Sequence, residues 1–138
     1  MNWLMWALLS AAFAAMTAIL GKLGVAGIDP NLATAIRTSV VVAFTWLIVA
    51  VNGVPAIRAI PGRSWVWLVL SGIATGLSWL CYFRALSLGQ ASQVAPIDKL
   101  SVVLVVVFAA LFLGERITVA RAAGVLLMAA GAIVLASK

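Results

Sequence analysis

The chain has 138 residues, of which 66% are hydrophobic and only 9% charged, and its formal net charge is +6. Soluble domains are about 45–50% apolar and about 25% charged, so this composition excludes an ordinary soluble domain and indicates a bilayer protein. The Lys and Arg residues occur singly and not in runs, which gives nucleic-acid binding little support. A single cysteine, Cys81, and the lack of histidine exclude a disulfide framework and a conventional metal cluster, and no cofactor or metal is expected.

The first predicted helix is the uncharged run from Trp3 to Leu20, which is long enough to span a bilayer. No Lys or Arg precedes this run and four similar runs follow it, so we expect a retained helix and not a cleaved signal peptide. Residues 21–28 are expected to form a loop, with Lys22 at the end of the helix.

The second predicted helix covers residues 30–51. Asp29 is suited to accept backbone N–H bonds as an N-cap, and Pro30 fits the first helical position because no N–H is needed there. Arg37 lies about 10 Å beyond Pro30 along the helix axis, at about 1.5 Å per residue. It therefore either extends back to the interface or faces protein and water. A loop follows, with Arg58 and Arg63.

The third predicted helix covers residues 64–86 and carries small residues on one face. Gly72 and Gly76 form a GxxxG pattern on which another helix could approach closely. Packing within the chain is the favoured interpretation, because this pattern is common in membrane helices. Trp79 and Tyr82 lie near the helix end, where aromatic residues usually form an interfacial belt, with substrate contact as the alternative.

The fourth predicted helix covers residues 93–113 and contains an acid next to a base, Asp98 and Lys99. Charges in a lipid-spanning segment are costly and are kept for function, pairing or position. If Pro96 is the first helical residue, Asp98 lies in the first turn and complements the helix dipole. Alternatively, Asp98 meets Arg37 or Lys99 in a polar pathway, although adjacent residues diverge by about 100° around a helix.

The fifth predicted helix covers residues 119–136, and its Ala120, Gly124 and Gly131 are expected to form a face suited to close helix contact. An odd number of spans places the two termini on opposite sides of the membrane. Basic residues flank the spans almost equally on the two sides. The N-terminal side has Arg58, Arg63, Arg116 and Arg121, and the other side has Lys22, Arg84 and Lys138, with Arg37 and Lys99 as further flanking candidates.

This balance leaves the orientation weakly specified, because the positive-inside rule acts through a difference in Lys and Arg between the two sides. In one interpretation the chain inserts both ways and pairs with an inverted copy of itself. In the other it inserts with its N-terminus inside, directed by the four arginines. Glu115 and Arg116 are expected only to cap and orient a helix end.

Several segments resemble the EamA family of the drug/metabolite transporter superfamily. They are YFRAL at 82–86, LG at 88–89, QVAPIDKLSVV at 93–103, FLGER at 112–116 and GVLLMAAGAIVL at 124–135. The resemblance implies an all-α polytopic membrane protein. Many family members have two five-helix repeats in inverted orientation around a substrate pathway, whereas this chain contains one repeat. The resemblance therefore implies a homodimer, most simply antiparallel, in a bacterial or archaeal cytoplasmic membrane.

Three classes of function remain. Transport of small metabolites, amino acids or drug-like compounds is favoured by the resemblance. A non-transporting membrane interaction protein, or a subunit of a heterodimeric transporter, would use the same small-residue faces. An enzyme is not expected, because the sequence offers no histidine and no evident pair of nucleophile and base. If transport is coupled to protons, Asp98 is the leading carrier.

Overall fold

In a computed structural model, residues 2–53, 57 and 60–137 are described, and these residues are helical apart from short connections. The predicted positions of Arg58 and Lys138 lie outside the described residues. The helices are α1 (Trp3–Gly24), α2 (Pro30–Val51), α3 (Gly62–Leu88), α4 (Ala91–Asp98), α5 (Ser101–Leu113) and α6 (Val119–Ala136). Five segments within this part of the chain are long and apolar enough to cross a membrane, with α4 and α5 together forming one of them.

The beginnings of α2 and α6 follow from their capping residues. The Asp29 carboxylate accepts hydrogen bonds from the backbone N–H groups of Asn31 and Leu32, at 2.9 and 3.0 Å, which confirms the predicted N-cap. Thr118 caps α6 in the same way, because its hydroxyl accepts a bond from the Arg121 N–H at 3.3 Å. These side chains satisfy N–H groups that have no partner inside their helices.

The predicted loop at residues 21–28 is partly wrong, because α1 remains helical through Gly24. Gly21 is a site of close approach and does not break the helix. A Cβ at this position would lie 3.4 Å from the Leu86 side chain and 3.5 Å from the Phe83 ring. The small residue therefore lets the end of α1 approach the end of α3, which itself extends two residues beyond the predicted boundary, to Leu88.

The fourth predicted helix is divided into two, α4 and α5, with a break at Lys99 and Leu100. Pro96 lies inside α4 and has no N–H to donate to a carbonyl one turn earlier. Around the break, the N–H groups of Leu100, Val102 and Val103 each donate to a carbonyl three residues earlier, at 3.0 Å. This tighter hydrogen-bond pattern interrupts the α-helical ladder.

The α5 helix ends at Gly114, which adopts the left-handed conformation with φ 67°. Glu115 then donates its backbone N–H to the Ala109 carbonyl at 3.1 Å. Only glycine adopts this conformation without a steric cost, so Gly114 permits the turn into the loop before α6.

The chain divides into two units, one comprising Met1–Leu20 with Leu88–Lys138 and the other Gly21–Ser87. In the first unit α6 packs against α4 and α5. The buried centre of the second unit contains Val25, Ala33, Phe83 and Leu86, and Leu86 is fully buried. These buried residues lie just before α2, in its first turn and in the last turns of α3.

The glycines predicted to form packing faces have open space around them. A Cβ added at Gly72, Gly76, Gly124 or Gly131 would meet no described atom within 4 Å. Packing against Gly72 and Gly76 therefore stays a prediction, since the described residues leave space at both glycines. On α6 the more buried stripe is instead Ala122, Val125, Ala129 and Ala132, and the face with Ala120 and the two glycines is exposed.

Candidate functional site

The most distinctive group in the unit Gly21–Ser87 is a cation held against aromatic rings. The guanidinium carbon of Arg37, on α2, lies 4.1 Å from the centre of the Trp79 ring and 5.5 Å from that of Phe83, both on α3. The Phe83 ring in turn meets Tyr82 edge-on, with centroids 6.4 Å apart. A guanidinium over an aromatic face gains about 0.5–2 kcal/mol, with the larger value where water is excluded.

The Arg37 side chain faces the aromatic rings of α3. Consecutive spanning helices run in opposite directions, so the start of α2 and the end of α3 lie at the same side. Arg37 is about 10 Å from the start of α2, and Trp79 is about 14 Å from the end of α3, at about 1.5 Å per residue. Phe83 lies one turn nearer that end. Because the guanidinium is closer to the deeper ring, Trp79, its position is set by the aromatic contact.

The N–H groups of Arg37 remain available for a ligand. None of the hydrogen bonds among the described residues comes from its side chain, and no buried side-chain nitrogen in that part of the chain lacks a partner, so these nitrogens are accessible. The one carboxylate in the unit Gly21–Ser87, Asp29, caps α2 about two helix turns before Arg37. An intramembrane cation without a carboxylate partner in its unit is a candidate binding group.

A groove of about 540 Å³ runs along α2 and α3 in the same unit. Its lining is mostly apolar and consists of Asn31, Thr34, Ala35, Thr38, Ser39, Val42, Ala43, Gly76 and Leu80. The hydroxyls of Thr34, Thr38 and Ser39 donate to carbonyls four residues earlier in α2, at 2.8, 2.8 and 3.1 Å. Because these hydroxyls already have acceptors, the groove can accommodate an apolar group without leaving them unpaired.

In the other unit, the Asp98 carboxylate pairs with its neighbour Lys99, whose Nζ lies 3.1 Å from Asp98 Oδ2. The capping interpretation of Asp98 is wrong, because α4 begins at Ala91 and Asp98 is its last residue. Adjacent side chains on a regular helix point about 100° apart. Asp98 and Lys99 still meet, because the lysine side chain is long and the helix is broken at Lys99. The proposed pairing of Asp98 with Lys99 is therefore observed, while a proton-carrying role stays a prediction.

Two further basic residues have contacts that the sequence analysis missed. The Lys22 ammonium donates to the Leu86 carbonyl at 2.6 Å, where a cation complements the negative end of α3. Arg121 lies 3.8 Å from Glu115 and donates to the Arg116 carbonyl at 3.2 Å. Glu115 therefore meets Arg121 across the loop, and the pair joins the end of α5 to the start of α6. In the sequence, the contact of Lys22 with Leu86 was indicated only by the small residue Gly21 next to Lys22, which permits close approach of another helix.

The structure thus brings three of the predicted site residues, Arg37, Trp79 and Tyr82, into one part of the unit Gly21–Ser87. Asp98 and Lys99 form a separate pair at the helix break of the other unit. The groove next to Arg37 was not predicted. Its signal in the sequence was the recurrence of small and hydroxyl residues on one face of α2, at positions 31, 34, 35, 38 and 42.

Comparison with known proteins gives a consistent result. The EamA-like transporter family matches residues 1–137. A protein of Sinorhizobium sp described as an uncharacterized transporter in cobO 3'region is 54% identical over 136 residues, which cover 98% of this chain and 96% of the relative. No solved structure matches the chain.

Proposed function

Because the chain belongs to the EamA-like transporter family, we propose that it moves small metabolites, amino acids or drug-like compounds across the membrane by alternating access. We propose further that it works as an antiparallel homodimer in a bacterial or archaeal cytoplasmic membrane. The substrate is carried and not chemically changed.

The observation that carries the dimer proposal is the length of the relative. The aligned residues cover 96% of that transporter, so that relative is scarcely longer than the aligned segment. Inverted-repeat transporters place their substrate site between two repeats of opposite orientation. A protein with one repeat can supply the second only from another chain, and an inverted copy of itself is the simplest source.

Two features of the structure support this proposal. No more than 6% of the residues in the most apolar window of any described span are buried, which leaves apolar helix faces available to a second chain as well as to lipid. The break between α4 and α5 also matches the discontinuous helices that many transporters have at the substrate pathway. The charged pair Asp98–Lys99 lies at this break.

Reconstitution of the purified protein into liposomes tests the proposal directly. Uptake and efflux of amino acids, neutral metabolites, organic anions and organic cations would be followed with empty liposomes as the control. We expect flux of at least one class by the protein alone. Flux that appears only after a different membrane protein is added would contradict the homodimer and favour the subunit of a heterodimeric transporter. The absence of flux under both conditions would favour a non-transporting interaction protein.

A further inference from the structure

The three carboxylates of the chain each have a defined local role, and none of these roles neutralises Arg37. Asp29 accepts two backbone N–H bonds at the start of α2, Asp98 pairs with Lys99, and Glu115 lies 3.8 Å from Arg121. Among the described residues of its own unit, the Arg37 side chain contacts aromatic rings, and Arg37 lies inside a candidate spanning helix. A cation within a membrane is costly when no counter-charge lies near it. We therefore expect either a ligand or a second chain to interact with Arg37.

We propose that Arg37 and the Trp79 ring bind the oxyanion of a small organic anion, which makes such an anion the substrate of the transporter. This inference rests on the proposed transport function. A guanidinium stacked on an aromatic ring keeps its N–H groups along its edge, where they match the two oxygens of a carboxylate or phosphate. The accessible N–H groups of Arg37 meet this requirement.

The groove between α2 and α3 suits the apolar body of the same anion. Thr34 and Gly76, which line the groove, lie one helical turn before Arg37 and Trp79 and so share a helix face with them. Gly76, one turn before Trp79, leaves open space on the α3 side. The cation therefore lies next to an apolar groove of about 540 Å³, large enough for an aromatic or short aliphatic group.

A lipid phosphate offers the same oxyanion chemistry, with an acyl chain in the groove. The depth of Arg37 favours a small solute. Its guanidinium lies closer to Trp79, about 14 Å along α3 from the helix end, than to the shallower Phe83. A headgroup phosphate belongs at the interface and would have to enter the hydrocarbon region to reach this position, whereas a transported solute passes through that depth in any case.

Equilibrium dialysis of the full chain in phosphatidylcholine nanodiscs tests the inference. The probes are phenylacetate and phenyl phosphate, the neutral phenylacetamide and the cationic phenethylamine. We expect the anions to bind at least about tenfold more tightly than the amide, which corresponds to about 1.4 kcal/mol. R37Q is expected to abolish this preference, and R37K to weaken anion binding while keeping the preference, because an ammonium retains the charge but lacks the planar fork.

R121Q is the matched control, since Arg121 is an exposed arginine at a helix end, and it should bind the anions as the wild type does. Circular dichroism and the elution volume establish that each variant is folded, and R37K keeps the test decisive if R37Q does not accumulate. Equal binding of anion and amide by the wild type, failure of the wild type to bind either anion, or an unchanged preference in R37Q would overturn the inference.

Native mass spectrometry separates the two sources of the oxyanion. If the wild type but not R37Q retains phosphatidylglycerol, and neither binds phenylacetate, the ligand is a lipid headgroup and the substrate assignment is overturned. Liposome flux separates this inference from the proposed function. Flux of neutral or cationic compounds without Arg37-dependent anion binding would overturn the inference alone. Anion binding without flux of any compound would overturn transport, and with it the assignment of the anion as substrate, but not the anion site at Arg37.

Discussion

The ion pair at the helix break gives a quantitative prediction. Asp98 lies about 10 Å along the span that begins at Ala91, at about 1.5 Å per residue. An uncompensated charge at the centre of a spanning helix costs about 2.5–3.5 kcal/mol, and the cost is smaller nearer the interface. We therefore expect D98N and K99Q each to lower the free energy of unfolding by about 1–3 kcal/mol, because each leaves the other charge unpaired.

The double variant D98N/K99Q should lose less than the sum of the two single variants. The protein leaves the Asp98 and Lys99 side chains 35% and 56% exposed, so the pair is not enclosed and we expect a coupling energy near 1 kcal/mol. Reversible unfolding in mixed micelles by titration with sodium dodecyl sulfate, followed by tryptophan fluorescence, measures these values.

The control for this cycle is E115Q, which removes the wider and more exposed contact of Glu115 with Arg121. This variant should change the free energy of unfolding by less than about 0.5 kcal/mol. Strict additivity of D98N and K99Q would refute the reasoning, because it would show that the observed 3.1 Å contact carries no coupling.

Four further predictions follow from the local geometry. P96A should add the missing N–H bond to the Ser92 carbonyl and remove the clash of the proline ring with it, which would slow amide exchange within α4; unchanged exchange would show that Pro96 does not weaken this helix. G21A should be tolerated but G21L should destabilise the fold, because a Cβ at residue 21 would already lie 3.4–3.5 Å from the Leu86 and Phe83 side chains and leaves no room for a larger group. Equal stability of the two variants would contradict this close approach. D29A should cost about 0.5–2 kcal/mol through loss of the cap, measured by the same unfolding titration, with D29N as the control that keeps an acceptor. If Asp98 carries a proton, D98N should flatten the pH dependence of flux, whereas an unchanged profile would leave Asp98 with its ion pair alone.

The helices and their main boundaries could be predicted from the sequence because their signals are local. A long uncharged run predicts a span, and Asp29 followed by Pro30 predicts a helix start, which the two cap hydrogen bonds confirm. The break in the fourth predicted helix was not predicted, because a continuous apolar run does not show where its hydrogen bonds change. The alternative with Pro96 as the first helical residue is wrong, since α4 already begins at Ala91.

The candidate site could be predicted only in part, since its geometry depends on contacts between helices. The sequence identified Arg37 and Trp79 separately but could not place one over the other, because they are 42 positions apart in the chain. Likewise, spacing identified the glycine face of α6 but not which face would pack. The buried stripe through Ala132 is offset by one residue from Gly131, and such an offset turns the side chain by about 100°.

We propose that two copies of the chain assemble in opposite orientations. Determining on which side of the membrane residue 137 lies tests this directly. Ser137→Cys would be introduced with Cys81→Ser, which removes the only native cysteine. A membrane-impermeant maleimide would then be applied to sealed vesicles of each orientation, with flux measured in the same preparation. We expect about half of the protein to be labelled from each side, as equal populations of two orientations require. Labelling from one side only, in a protein that transports without a partner, would contradict it.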